Sequence, residues 1–195
     1  MKIYVCSSNP GKLREILLAA SGTDFEIMPL PDLKRITPPA ETGSSFEENA
    51  ALKAVYYSHF TSEVVLADDS GLEVDALGGA PGVFSARYSG PNATEEDNNS
   101  LLLQNLRHAA ARSARFVCVV ALARAGTVLS TARGSVEGEI LPAPQGTNGF
   151  GYDPLFLYVP LGRSFAELMP DEKLLVSHRG KALRSLFEKA STIVT

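Results

Sequence analysis

The sequence predicts an α/β protein, and three observations carry that expectation. Val64-Val65-Leu66-Ala67 is a short apolar run that reads as a buried strand, and it stops at two adjacent carboxylates, Asp68 and Asp69, followed by Ser70-Gly71. Near the start, residues 2–6 read as a strand and 7–12 as a polar turn, after which Leu13, Ile16, Leu17 and Ala20 recur at helical spacing. In the middle, 115–124 and 128–141 read as two strands meeting at Ala125-Gly126, an antiparallel hairpin forming the backbone of the sheet. Open α/β sheets bind ligands outside the carboxyl ends of their strands, so the acid pair is expected to border a cleft. Asp, Ser and Gly also favour turns, and a plain turn fits the same residues.

Composition narrows the class. A chain of 195 residues with 45% hydrophobic and 21% charged residues is long enough to bury a core as one large domain or two small lobes. A net charge of −4 supplies no basic field, which argues against a nucleic acid polymer or a membrane surface as partner. Cys6 and Cys118 lie in apolar runs without metal-ligand spacing, so they read as reduced core residues of a cytoplasmic protein. No signal-type segment follows Met1, and the longest apolar run, 117–123, is far short of the roughly 20 residues a membrane span needs.

Each remaining element has its own signal. The turn Ser7-Ser8-Asn9-Pro10-Gly11-Lys12 before a helix could cradle a phosphate on backbone N–H groups, or could be an N-capping turn with a solvated lysine. It is not a P-loop, because Leu13 stands where Ser or Thr would be needed. Residues 25–29 read as a second strand, followed by a Pro-rich loop to Ala40-Glu41-Thr42-Gly43. Ser45-Phe46-Glu47-Glu48 is a capping box opening a helix to about residue 60, with Phe46, Ala50, Ala54 and Tyr57 on its apolar stripe. Asn49 and Lys53 are i, i+4 neighbours beside that stripe and can point into one crevice. Residues 72–77 and 83–88 read as two extended pieces around a Gly/Pro turn, and Thr94-Glu95-Glu96-Asp97 as the start of a helix to about residue 111.

The glycine-rich loop at 146–154 precedes an apolar strand, so it is not a dinucleotide fingerprint. Phe150 could stack on a base there or simply plug a hairpin. Ser164-Phe165-Ala166-Glu167 caps a short helix, and Pro170 begins a further turn. His178-Arg179 opens the last helix with cationic groups that oppose its dipole, a small cost that a bound anion would offset. The polar loops at 7–12, 41, 68–70, 150–153 and 177–179 together offer acids for a divalent cation, cations for phosphates and an aromatic for a ring. Hydrolysis of a nucleoside triphosphate needs that combination.

Seven motifs in order extend the argument: Ser-Ser-Asn-Pro-Gly-Lys (7–12), Glu-Thr-Gly (41–43), Phe-Glu-Glu-Asn-Ala-Ala-Leu-Lys-Ala (46–54), Ala-Asp-Asp-Ser-Gly-Leu (67–72), Gly-Gly-Ala-Pro-Gly-Val-Phe-Ser-Ala-Arg-Tyr-Ser-Gly (78–90), Gly-Phe-Gly-Tyr-Asp-Pro (149–154) and Ser-His-Arg-Gly (177–180). With these the chain resembles the inosine triphosphate pyrophosphatase family, the non-canonical purine NTP pyrophosphatases of the Ham/Rdg type. The resemblance implies one such domain over residues 1–195, two-lobed, with an elongated mixed central sheet flanked by helices and a nucleotide groove between the lobes. It also implies a homodimer that uses Mg2+ to cleave ITP, dITP and XTP into monophosphate and pyrophosphate, keeping deaminated purines out of DNA and RNA.

By the same resemblance Ser7, Ser8, Asn9, Pro10, Gly11 and Lys12 hold the triphosphate, and Lys53 steadies it. Asp69 is the general base, and Glu41 with Asp68 or Asp69 binds the metal. Ser70, Phe150, Gly151, Tyr152, Asp153, Lys173, His178 and Arg179 line sugar and base. Arg179 or His178 would donate to a purine 6-oxo group, a bond that adenine's amino group cannot accept. Asn148 and Leu174 depart from the family's pattern on the base side. The rivals are a Maf-type pyrophosphatase, with a similar fold but pyrimidine or modified substrates, and a nucleotide-binding module without turnover.

Overall fold

The computed structural model describes residues 1–193. Its first turn of chain is β1 (Lys2–Val5), α1 (Pro10–Ala20) and β2 (Glu26–Pro29), with β1 parallel to β2 from Lys2↔Glu26 to Val5↔Pro29. Then come α2 (Phe46–Tyr57), β3 (Val64–Val74), α3 (Glu95–Asn105), β4 (Ser113–Arg124) and β5 (Thr127–Ile140). The chain finishes with β6 (Phe156–Tyr158), β7 (Arg163–Ser164), α4 (Pro170–Val176) and α5 (His178–Ile193). Among the described residues the strands form one seven-stranded sheet in the order β2-β1-β3-β4-β5-β6-β7. It is mixed: β1 pairs in parallel with β2 and β3, while β6 runs antiparallel to both β5 and β7.

The chain divides into two compact units, and β3, β4 and β5 run through both, divided after Asp69, Val117 and Gly134. The first unit holds Met1–Asp69, Cys118–Gly134 and the stretch from His178 onward. Its core sets Ile3, Val5, Leu66, Val120 and Leu122 of the strands against Ile16 of α1 and Leu183, Leu186 and Phe187 of α5. The second unit holds Ser70–Val117 and Ser135–Ser177. Its core is Leu72, Val74, Leu102, Leu106, Phe116, Ile140 and a group of rings, Phe156 and Phe165 at 4.9 Å and Phe116 and Phe156 at 4.5 Å between centroids.

Local sequence explains most elements. Residues 117–123 of β4 are all buried, as a strand covered on both faces requires, whereas β5 alternates buried and exposed from Ala132 to Ile140. Ala125 and Gly126 both have positive φ, the signature of a two-residue hairpin turn that matches strand twist. On α2, Phe46, Ala50, Ala54 and Tyr57 are buried together, and Ser45 Oγ accepts the Glu48 N–H. The other half of that capping box is altered: Glu48 accepts from Ser44 N at 2.6 Å. Both cysteines are buried and unbridged, and burial pushes each thiol up to about 12. No described helix is long and apolar enough to cross a membrane.

Four expectations are corrected. The strand at Val64 does not stop at the acids; β3 continues to Val74, because Ser85 Oγ accepts the Leu72 N–H at 2.9 Å and Val74 N donates to Ala80 O. Residues 83–88 are not extended: Gly82–Arg87 is a 3-10 helix, in which Ser85 Oγ also donates to Gly82 O. The helix from Thr94 ends at Asn105, well short of residue 111, where Arg112 reaches back to the Leu106 carbonyl. Pro170 opens the helix α4 instead of a turn, with Glu172 accepting from Met169 N at 2.8 Å.

Within the first unit, Gly134 fixes where α5 begins. A Cβ there would overlap the His178 carbonyl oxygen and come within 2.6 Å of Ala182 N, both backbone atoms that cannot swing aside. Gly134→Ala should therefore lower stability by about 1–3 kcal/mol, read as a lower urea midpoint at unchanged m-value. An unchanged midpoint would mean that this approach does not hold the start of α5.

Candidate active site

In the first unit the acid pair lies in the interior of β3, at the point where its neighbour ends. β1 pairs with Val64, Val65 and Leu66, and the last bond is Cys6 N to Leu66 O, so beyond Ala67 that edge of β3 has lost its partner strand. Both carboxylates are buried there, which is costly unless each is paired and hydrogen-bonded.

The two acids are neutralised differently. Asp68 Oδ2 lies 3.0 Å from Lys12 Nζ and 3.5 Å from Arg179 Nη2. Burial would raise its pKa, but Lys12, then Arg179 and Lys53, outweigh burial and hold the carboxyl well below the usual range. Asp69 Oδ1 accepts from Lys53 Nζ at 2.7 Å and Oδ2 from Asn49 Nδ2 at 3.3 Å. Here burial wins over Lys53, and the pKa rises. Lys53 Nζ also holds Glu41 Oε1 at 2.9 Å; its own burial is more than offset by Asp69, Asp68 and Glu41, so its pKa rises too.

Lys12 is thus not a solvated lysine, although its turn is an N-cap. Asn9 Oδ1 accepts from Gly11 N at 2.8 Å and Lys12 N at 3.1 Å, Pro10 has no N–H, and Leu13 N bonds Asn9 O. The first-turn donors that a phosphate would use are therefore occupied by Asn9, leaving the Lys12 side chain as the cationic contribution of α1. Ser7 Oγ accepts from Asn9 N at 3.3 Å, and Ser8 is exposed.

Arg179 is 1% exposed, with its guanidinium donating to Glu15 and Asp68. His178 is buried beside it at the first position of α5. Glu15 was missed by sequence reasoning; its one-turn spacing from Lys12 on α1 was the available signal, since i and i+3 share a face. Among the described ion pairs, Lys12, Lys53 and Arg179 thus meet Glu15, Glu41, Asp68 and Asp69 in one cluster.

The convergence of Glu41 and Asp69 on a single ammonium suits a hard cation with oxygen ligands. Among the described residues no three acidic, His or Cys side chains form a ready-made cage. Magnesium does not require one, because it keeps waters and takes one or two carboxylates together with substrate phosphates. The residues present fit the ion.

The second unit carries the other predicted residues as a cluster of its own. Asp153 is buried, and its Oδ2 accepts from Lys173 Nζ at 2.5 Å and Phe150 N at 2.8 Å. Gly149 has φ +76°, and a Cβ there would overlap the Asp153 carboxylate. Lys173 Nζ sits 4.8 Å from the Phe150 ring centroid, so one face of that ring meets a cation. Tyr152 donates its hydroxyl to Ser85 O at 2.9 Å, and burial raises its pKa. Asn99 of α3 donates to Gly151 O at 3.0 Å, a support that no sequence signal marked. Asn148, where another glycine was expected, donates to Leu168 O at 3.1 Å. Ser70 follows Asp69 along β3 and is half-buried.

Comparison with known proteins identifies the family. The sequence profile of the Ham1 family matches residues 3–189. A dITP/XTP pyrophosphatase of Exiguobacterium sp. is 51% identical over 186 residues, spanning 95% of each chain. One of Acidobacterium capsulatum is 50% identical over 198 aligned positions, spanning 97% of this chain and 98% of its own. Among solved structures, a HAM1 protein from Coxiella burnetii matches with a TM-score of 0.88 at 40% identity, over 98% of this chain and 99% of its own. The Staphylococcus aureus Ham1 protein gives 0.86 at 38%, with the same coverage. With its profile matched almost end to end and its α/β fold shared with these structures, the chain belongs to the Ham1 family.

Proposed function

We propose that the protein hydrolyses dITP, ITP and XTP to the nucleoside monophosphate and pyrophosphate; dITP and XTP are the substrates in the names of its relatives in Exiguobacterium and Acidobacterium. One observation carries the chemistry: of the two neighbouring carboxylates on β3, Asp68 lies between the cations Lys12 and Arg179, whereas Asp69 faces one lysine and a neutral amide, so burial prevails only at Asp69. Such divergence assigns roles. Asp68 stays an anion that fixes Lys12 and Arg179, while Asp69 can take a proton from an attacking water. Lys12 and Lys53 supply positive charge to phosphate oxygens, which matters most where charge develops on the leaving pyrophosphate.

Magnesium held by Glu41 and Asp69 would neutralise the attacked phosphate when bound. That ion, a homodimeric state and a cytoplasmic location belong to the same reading and rest on the family resemblance. By the family resemblance, base selection falls to His178 or Arg179 as the donor for the 6-oxo group. Arg179 is a poor single probe of selection. Removing it also breaks its buried ion pairs with Glu15 and Asp68, a loss of about 3–5 kcal/mol for a broken buried pair.

Three experiments test this reading. Pyrophosphate release measured on ITP, dITP, XTP, GTP, ATP and dTTP, with and without magnesium, should favour the first three by roughly 100-fold in kcat/KM and need the ion. Preference for dTTP would move the protein to the Maf type, and binding without release would make it a nucleotide carrier. Asp69→Asn should lower kcat for ITP by about 10²- to 10⁴-fold; near-normal turnover would remove Asp69 as the base.

Asp68→Asn should lower the unfolding temperature at pH 7, because a depressed folded pKa contributes stability above the unfolded value of about 4. The difference from wild type should close as pH falls below that value toward the lower folded one. A difference independent of pH would mean that the charge of Asp68 is not what Lys12 and Arg179 stabilise.

A further inference from the structure

Asn49 is wholly buried in α2, and a buried carboxamide is expensive unless both of its ends are satisfied. Its Oδ1 accepts from Gly43 N at 2.8 Å, and its Nδ2 donates to Asp69 Oδ2 at 3.3 Å. The orientation of the amide is dictated by chemistry: a backbone N–H can only donate and a carboxylate accepts. Gly43 is needed for the approach itself, since a Cβ would lie 2.6 Å from Asn49 Oδ1 and 2.7 Å from Glu48 Cβ. One turn along the same helix face, Lys53 bonds Glu41 Oε1 and Asp69 Oδ1. The segment 41–43 and the carboxylate of Asp69 are therefore joined by two rungs, one cationic and one neutral, and each addresses a different oxygen of Asp69.

We propose that Asn49 is a positioning residue for the reaction: its carboxamide locks the Asp69 carboxylate to the backbone of Gly43, holding the acid and the Glu41 loop in one geometry. No other natural side chain of that size accepts on one side and donates on the other. A second lysine would leave Gly43 N without an acceptor, and a carboxylate would set oxygen against oxygen. An asparagine serving the fold alone could have turned to any backbone group; this one spends its donor on the acid assigned as the proton acceptor.

The proposal rests on the reading of Asp69 above, which ITP turnover of the wild type and of Asp69→Asn tests alone. Two variants test the rung. Asn49→Leu keeps the shape and helix propensity and removes both bonds; Asn49→Asp, at pH 8, keeps an acceptor for Gly43 and loses the donor to Asp69. Both should fold cooperatively and lower kcat for ITP by about 10- to 100-fold with KM within about threefold, as expected for a misplaced reactive group. Hydrogen exchange of the Gly43 amide should speed up at least about tenfold in Asn49→Leu and stay as in wild type in Asn49→Asp. Wild-type kcat in Asn49→Asp, a rise in KM at unchanged kcat, or an unchanged Gly43 exchange rate in Asn49→Leu would each overturn it. If wild type itself releases no pyrophosphate, the reading of Asp69 fails, while the exchange data still decide whether the clamp exists.

Discussion

Two ionised carboxylates side by side in the interior of a strand are the constraint from which the first unit follows. Each costs several kcal/mol to bury alone, and together they repel. The fold answers with cations from three helices: Lys12 of α1, Lys53 of α2 and Arg179 of α5. Those helices therefore cannot be placed independently. α1 must present Lys12 and also Glu15, which balances Arg179; α2 must present Asn49 and Lys53 on one face; and α5 must start close enough to β5 that only glycine fits at 134. The core of Ile3, Leu66, Leu183 and Leu186 then closes around charges that are already paired.

The same physics explains what could be read from the sequence. Elements whose cause is local were legible: the apolar stripe of α2, the capping by Ser45 and Thr94, and the hairpin turn at Ala125-Gly126. Elements decided by distant partners were not. Ser70-Gly71 has the composition of a turn, yet the chain stays extended because Ser85, far along the sequence, supplies an acceptor for Leu72 N. Helical propensity continues past Asn105, but Arg112 claims the Leu106 carbonyl and ends the helix.

The site divided along the same line. Asn49 and Lys53 were placed in a common crevice by i, i+4 spacing alone, and they meet at Asp69. Lys12 was legible only as an alternative between a phosphate cradle and a cap; the structure takes the cap for its backbone and an ion pair for its side chain. Arg179 could be recognised as unusual because it opposes a helix dipole, but its balance by Glu15, 164 positions away, lies beyond any local pattern.

Each unit uses one device at its functional residues: a buried aspartate, a lysine from a helix, and a glycine that admits no side chain. In the first unit these are Asp69, Lys53 and Gly43; in the second they are Asp153, Lys173 and Gly149. The settings differ in a way that separates their chemistry. Asp153 and Lys173 balance one another charge for charge between the rings of Phe150 and Phe165, an arrangement suited to holding a neutral planar group. Around Asp69 two carboxylates, its own and that of Glu41, converge on one ammonium. Acids that share one cation gain by taking up another. That convergence is what supports the proposed placing of the chemistry beside β3.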